Sequence, residues 1–296
     1  MAKSIEKINI ESVIIDPEAG IKDGKNPVIF MHGMLCSKET WVEIPQAVAD
    51  STGRRVYVYD ARNHGDSGHT DQSGFDLNVQ DLLEFMGGVT VNDATTVAAD
   101  QVILVGYDMG GLTAISAALA IPKKFEKVIV IEMYTKRVPD FLLDRSKIFM
   151  TKWTECVRKL PKGTPMELVT KISVEKLYEE LEDDMKENNE KSSYQNANFL
   201  YHETAEGYDV LYNTDNLCQA LDELKGQKDF KGKYEKPAYF FYGEKSHFNI
   251  GNEKDSIKEL FPLAKFVEFE GGSHFFIADV PDKVASEISK SINEMS

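Results

Sequence analysis

The apolar run Val102–Val105, the string Gly106-Tyr107-Asp108-Met109-Gly110-Gly111 and the small-residue stretch Leu112–Ala120 leave this part of the backbone few options. Four consecutive apolar residues predict a buried strand, and the Ala-rich stretch predicts a helix that packs close to it. Only a sharp strand-to-helix turn joins the two in so few residues. Flanking glycines suit that turn, because a Cβ there would collide with the neighbouring strand or helix. The turn lifts one side chain, Asp108, above the edge of a parallel sheet. A serine at that position would acylate on esters, whereas an aspartate would have to form a mixed anhydride. A carboxylate instead attacks saturated carbon bearing a leaving group, such as an epoxide or a carbon–halogen centre, and leaves an ester that water can hydrolyse.

The same rhythm extends along the chain. Val28–Met31, Val56–Tyr59, Val128–Ile131, Tyr239–Tyr242 and Phe266–Phe269 are further short apolar runs, with helix-like periodicity at Trp41–Asp50, Asp76–Met86, Lys254–Leu260 and Asp282–Ile292. This alternation predicts an α/β fold with a mostly parallel sheet flanked by helices. Ile8–Ile15 alternates more loosely and reads as an early edge strand, possible in antiparallel orientation. The rhythm stops after Glu132 and resumes at Pro237. The stretch between carries helical periodicity at Leu142–Leu160, Pro165–Asn188 and Asp215–Leu224 and no convincing strand. The expected organisation is therefore a core of residues 1–133 and 236–296 with a helical cap over 134–235, placed above the strand ends where ligands of open parallel sheets bind.

Composition narrows the partners. With 49 acidic against 34 basic side chains the formal net charge is −15, which disfavours nucleic acid and repels an anionic membrane surface. The three cysteines, Cys36, Cys156 and Cys218, are scattered and odd in number, as expected of free thiols in a reducing compartment. Cys36 follows His32-Gly33 closely enough to be weighed as a second nucleophile, but a buried spectator is the preferred reading. The start of the chain shows no apolar leader and no run approaches a membrane span, so the cytoplasm is the expected location. The acidic run Glu179-Glu180 and Glu182-Asp183-Asp184 reads as a solvated helix face. No metal and no cofactor are expected, and the sequence leaves the oligomeric state open.

An elbow nucleophile needs a base, and Gly272-Ser273-His274-Phe275 supplies His274 in a loop after the last strand. A carboxylate must hold the imidazole in its working tautomer. Glu132, ending an apolar strand, is preferred over Glu244 and Asp215. Backbone amides of Met109, after the nucleophile, and Met34, after Phe30-Met31-His32-Gly33, are placed to form an oxyanion hole. Tyr107, His32, Leu35 and Phe275, which adjoin these groups, are expected to contact a small apolar substrate.

Taken together, Phe30-Met31-His32-Gly33-Met34-Leu35-Cys36-Ser37-Lys38, Gly53-Arg54-Arg55-Val56, Asp60-Ala61-Arg62-Asn63-His64-Gly65-Asp66-Ser67, the elbow and the late Gly-Ser-His resemble the α/β-hydrolase superfamily. More closely they resemble the abhydrolase domain-containing protein eleven group. The resemblance implies the fold, the elbow at Asp108, His274 as base and an acid at Glu132, with Asp60–Ser67 a structural loop. It departs at the elbow, where the group has Gly-His-Ser-Met-Gly-Gly and this chain has Tyr107 and Asp108. Aspartate there is what epoxide hydrolases and haloalkane dehalogenases use, although Met34-Leu35 matches the oxyanion loop of neither. The expected activity is thus epoxide-type hydrolysis through an alkyl-enzyme ester, with a cap tyrosine (Tyr178, Tyr194, Tyr201, Tyr208 or Tyr212) as proton donor. Two alternatives stand beside it: a scaffold without hydrolytic activity that binds an apolar ligand or partner, and a lyase, cyclase or cofactor-free oxygenase in which Asp108 and His274 act as base.

Overall fold

The computed structural model describes residues 5–91, 101–181, 183–186 and 191–295. Its strands are β1 (Ser12–Ile15), β2 (Val28–Met31), β3 (Val56–Tyr59), β4 (Val102–Tyr107), β5 (Phe125–Ile131), β6 (His202–Glu203), β7 (Tyr208–Asp209), β8 (Ala238–Gly243) and β9 (Ala264–Phe269). Seven of them form one sheet in the order β1-β3-β2-β4-β5-β8-β9. Every neighbouring pair is parallel except β1 with β3, which runs antiparallel with Ser12 opposite Tyr59. All residues of β2, β3, β4 and β8 are buried, which explains why these strands read as unbroken apolar runs: helices cover both faces.

The helices are α1 (Ile44–Thr52), α2 (Phe75–Val91), α3 (Met109–Ala120), α4 (Asp140–Arg158), α5 (Met166–Glu180), α6 (Asp183–Lys186), α7 (Lys191–Asn196), α8 (Thr214–Lys225), α9 (Lys254–Leu260), α10 (Phe276–Asp279) and α11 (Pro281–Asn293). Trp41, Val48, Val284 and Ile288 from the α1 and α11 side join Phe30, Ile103, Ile129 and Phe241 in one core layer. The opposite layer joins Leu104 and Val130 of the sheet to Leu112 and Ile115 of α3. It continues without a break into Trp153, Val174, Leu177 and Leu221 of the helical insertion between β5 and β8. The insertion therefore has no separate core, and α4 is seated by a stripe of Leu142, Leu143, Met150, Trp153 and Val157 at helical spacing.

Several details differ from the sequence reading. The predicted helix Trp41–Asp50 is split, because Val42 sits at φ 48° and the helix restarts with Pro45 in its first turn. The insertion is not free of strands: β6 and β7 form a short antiparallel pair. The helix expected over Pro165–Asn188 ends at Glu180, since Leu181 turns to extended backbone as its side chain enters the core. Residues 187 and 188 of that span, and Glu182 of the acidic run, lie outside the described residues.

The turn after β4 is as tight as the glycines imply. Asp108 sits at φ 50°, ψ −113°, a conformation that L-residues rarely adopt. A Cβ on Gly106 would stand 2.2 Å from the Gly110 carbonyl oxygen, and one on Gly110 would stand 2.2 Å from that of Met31. Both obstacles are backbone, so neither can rotate away. Gly110→Ala is expected to cost about 3 kcal/mol, the upper range for overpacking. That corresponds to a melting temperature lower by roughly 5–10 °C in a scan; an unchanged melting curve would contradict the close approach of β2 to α3.

Candidate active site

Asp108 caps α3, and the chain before it is pinned by its own amide donating to the Ile131 carbonyl of β5 at 2.9 Å. The loop after β2 is fixed against the same turn by the Gly110 amide, which donates to the His32 carbonyl at 3.0 Å. This places the Met34 amide 2.9 Å from Asp108 Oδ1, to which it donates. The Met109 amide opens α3 and belongs to the first turn, whose N–H groups have no partner within the helix. Of the two amides named from the sequence, that of Met34 is bonded to the carboxylate.

His274 Nε2 stands 3.7 Å from Asp108 Oδ2, and its Nδ1 is 3.0 Å from Glu132 Oε2. Glu132 has no exposed surface. A buried carboxylate is tolerated only when its oxygens are hydrogen-bonded, and here Oε1 accepts from the Gly243 amide at 2.6 Å while Oε2 also accepts from the Ser246 hydroxyl. The end of β8 and the loop after it, which offered Glu244 as an alternative acid, instead supply donors. Glu244 itself accepts from the Gly271 amide on the surface, and Asp215 lines a separate groove with His69 and His202. Burial lowers the affinity of His274 for a proton, but the hydrogen bond and charge of Glu132, with the charge of Asp108, more than offset it and hold its pKa above the ordinary 6.5.

These groups open onto a cavity of about 90 Å³ lined by Met34, Leu35, Asp108, His274 and Phe275 from the core and by Arg145, Ser146, Phe149, Tyr194 and Phe199 from the insertion, with His247 and Phe248 closing one side. Phe149, Tyr194, Phe199 and Phe275 pack ring to ring at centroid distances of 5.2–5.7 Å, tying the insertion to the His274 loop. Ser193 and Asn196 of α7 both donate to Asp279 of α10, which strengthens the same join. His247 lies in this lining with its pKa pushed down to about 3 by burial and by the His274 and Arg145 charges, so its imidazole is neutral.

Two expected substrate contacts do not reach the cavity lining. Tyr107 is buried behind His274, its hydroxyl donating to the His274 carbonyl at 3.2 Å, because side chains alternate along β4 and this one points into the core layer on the α1 side. His32 is turned inward to hold the loop: its ring is hydrogen-bonded to the Gly33 carbonyl at 2.8 Å and accepts from the Ala61 amide at 2.9 Å. Cys36 is likewise removed from chemistry, burial pushing its thiol up to about 12. Of the five tyrosines considered as donors, only Tyr194 lines the cavity. Tyr208 donates to the Thr164 carbonyl, Tyr201 bonds Thr170 and the Met166 carbonyl, Tyr212 bonds Thr154, and Tyr178 packs edge-on against Tyr194. Arg145, Ser146 and Phe149 carry no local signal, since a helix face cannot be assigned to a pocket before the helix is placed, and Phe199 and Phe248 lie in loops whose path only the fold sets.

A profile of the alpha/beta hydrolase fold matches residues 26–281, which spans the sheet, the elbow and the His274 loop. The chain belongs to this family. As an α/β-hydrolase enzyme it is 26% identical over 270 residues to the sn-1-specific diacylglycerol lipase ABHD11 of Danio rerio, covering 90% of this chain and 79% of the relative. It is 25% identical to ethanol acetyltransferase 1 of Cyberlindnera fabianii over 285 residues, covering 90% and 78%. Among solved structures, a marine microorganism esterase superposes with a TM-score of 0.71 at 22% identity, covering 96% of this hydrolase and 98% of that chain. An epoxide hydrolase from Vigna radiata superposes with a TM-score of 0.61 at 18% identity, covering 97% and 95%.

The raised affinity of His274 for a proton has a measurable sign. Protonated His274 stabilises the folded state; that contribution is complete below about pH 6.5 and is lost as pH rises through the higher folded-state value. Imidazole NMR should place the His274 midpoint above 6.5, and the stability advantage of wild type over His274→Gln should shrink as pH rises beyond it. A midpoint below 6.5 would mean that burial, not the two carboxylates, dominates the ring.

Proposed function

We propose that this hydrolase uses Asp108 as a nucleophile on a small apolar electrophile, an epoxide, through an alkyl-enzyme ester. The observation that carries the reading is the division of labour between the two carboxylate oxygens: Oδ1 is held by the Met34 amide, while Oδ2 lies on the His274 side at the cavity. A serine has one oxygen and cannot be both held and attacking. Oδ2 attacks a ring carbon, the ring C–O bond breaks, and the resulting alkoxide takes a proton from the Tyr194 phenol. Esterification removes the charge of Asp108, so His274 loses one of the groups that favour its protonated form and becomes a better-populated neutral base for the next step.

His274 Nε2 then takes a proton from water as the oxygen attacks the ester carbonyl, and the Met34 and Met109 amides receive the oxyanion. Collapse releases the diol, whose departing oxygen takes the proton from His274. The remaining acid proton returns through the site to the Tyr194 phenolate, leaving Asp108 as a carboxylate with one oxygen from water. Glu132 stays ionised throughout and stabilises the imidazolium, as the acid of such a triad does.

Two measurements test the reading. Intact-protein mass spectrometry of His274→Ala treated with styrene oxide should show a covalent adduct that peptide mapping assigns to Asp108; absence of any adduct across a broad panel of epoxides would overturn the assignment. The second follows from the retained oxyanion amides and the relatives named as a lipase and an acetyltransferase. Asp108→Ser should cleave p-nitrophenyl acetate faster than wild type by on the order of 10²–10³-fold, the scale of one oxyanion interaction. A wild type that is already the faster esterase would show that Asp108 does not work as described.

A further inference from the structure

Hydrolysis of an ester on Asp108 needs a water held in one direction, and His274 supplies only one of its contacts. As the water oxygen attacks the ester carbon, one hydrogen passes to His274 Nε2 and the other needs an acceptor in a lining that is mostly apolar. Leu35 and the phenylalanines of the cavity have none, the Met34 thioether is a weak one and Arg145 has only donors. The Tyr194 phenol is engaged with the oxygen of the opened ring, and the Ser146 hydroxyl turns back along α4 to donate to the Leu142 carbonyl at 3.0 Å. His247 remains. Its loop leaves β8 at Gly243, whose amide holds Glu132 together with the Ser246 hydroxyl, so one turn places both the acid behind His274 and the imidazole beside it. That turn is closed by the Ser246 amide donating to the Gly243 carbonyl and the Asn249 amide to the Ser246 carbonyl, each at 3.1 Å.

The His247 ring lines the cavity with its centroid 5.3 Å from that of His274. Two hydrogen bonds of about 2.8 Å together span about 5.6 Å, so a single water reaches both rings. Among the described residues no group bonds either ring nitrogen of His247, which packs against Phe248 at 4.8 Å. Because burial and the charges of His274 and Arg145 keep the ring neutral, one of its nitrogens carries a lone pair; a protonated ring would offer two donors and no acceptor. We propose, on the alkyl-enzyme reading above, that His247 positions the hydrolytic water: its unprotonated nitrogen accepts one hydrogen while His274 Nε2 takes the other, which aims the water oxygen at the Asp108 ester carbon. No proton is transferred to His247. The O–H bond that breaks is the one directed at His274, and the hydrogen held by His247 stays on the new Asp108 oxygen until it returns to the Tyr194 phenolate. The imidazolium formed at His274 therefore has an uncharged ring beside it.

The two halves of the reaction separate a role in hydrolysis from a role in holding the site together. Chemical quench followed by intact-protein mass spectrometry, with styrene oxide as substrate, reads formation and decay of the adduct on Asp108. His247→Phe keeps a ring and loses the acceptor. Its adduct should form within about twofold of the wild-type rate, decay about tenfold or more slowly and accumulate to a larger fraction of the protein. His247→Gln, whose amide carbonyl accepts a hydrogen bond, should decay faster than His247→Phe. Decay unchanged in His247→Phe, or formation and decay slowed alike in both variants, overturns the proposal. Imidazole NMR of wild type should show His247 unprotonated between about pH 5 and 8; a ring that titrates in that range lacks the acceptor and also overturns it. If His274→Ala, in which hydrolysis is blocked, forms no adduct, the alkyl-enzyme reading falls and this role with it, whereas an adduct in His274→Ala with unaltered decay in His247→Phe removes the role of His247 alone.

Discussion

The end of β2 and the first turn of α3 touch backbone to backbone: the Gly110 amide bonds the His32 carbonyl, and a Cβ on Gly110 would stand 2.2 Å from the Met31 carbonyl oxygen. That contact brings the Met34 amide to Asp108 and sets the opening of the cavity. It also holds Asp108 in a left-handed backbone conformation that an isolated chain would abandon. Strain of this kind, of order 1–3 kcal/mol per residue, persists only where the surroundings over-determine it. Here they do so through backbone hydrogen bonds to two adjacent strands, from Asp108 to β5 and from Gly110 to the end of β2.

Around that fixed point the ionisable groups are arranged by contrast of environment. Glu132 is wholly buried and hydrogen-bonded on both oxygens, Asp108 is partly open to the cavity, and His274 lies between them. The ring is thus anchored on one side by a buried carboxylate and faces on the other a carboxylate that lines the cavity. His247, a second imidazole at 5.3 Å from His274, is kept neutral by burial and adds no competing charge. The insertion completes the enclosure from above, and because its core is continuous with the sheet's, the aromatic wall it brings down is held by the same packing that stabilises the fold.

Relatives that share the length of this chain are named as a lipase and an acetyltransferase, and the fold is equally that of an esterase and of an epoxide hydrolase. A scaffold common to these chemistries must owe the choice between them to a few side chains at the strand ends. In this chain the atom that faces His274 is a carboxylate oxygen, a group poorly suited to acyl transfer.

What the sequence determined by itself was whatever is enforced locally. The apolar runs of the sheet were legible because strands covered on both faces need apolar residues at every position, and the elbow was legible because only glycine fits where backbones touch. His274 and Glu132 could be named because each follows a recognisable strand, one as a polar residue ending an apolar run. Tertiary structure decided the rest. Tyr107 and His32 were expected at the substrate and lie behind it, since the side to which a side chain points depends on the strand's register against both core layers. Among the cap tyrosines, helical spacing made five look equivalent, and only the seating of α4 and α7 against the His274 loop singled out Tyr194. Arg145 had no local signal at all: a charged residue on an amphipathic helix is ordinary until the helix is docked, and only the docking of α4 places that side chain in the cavity lining.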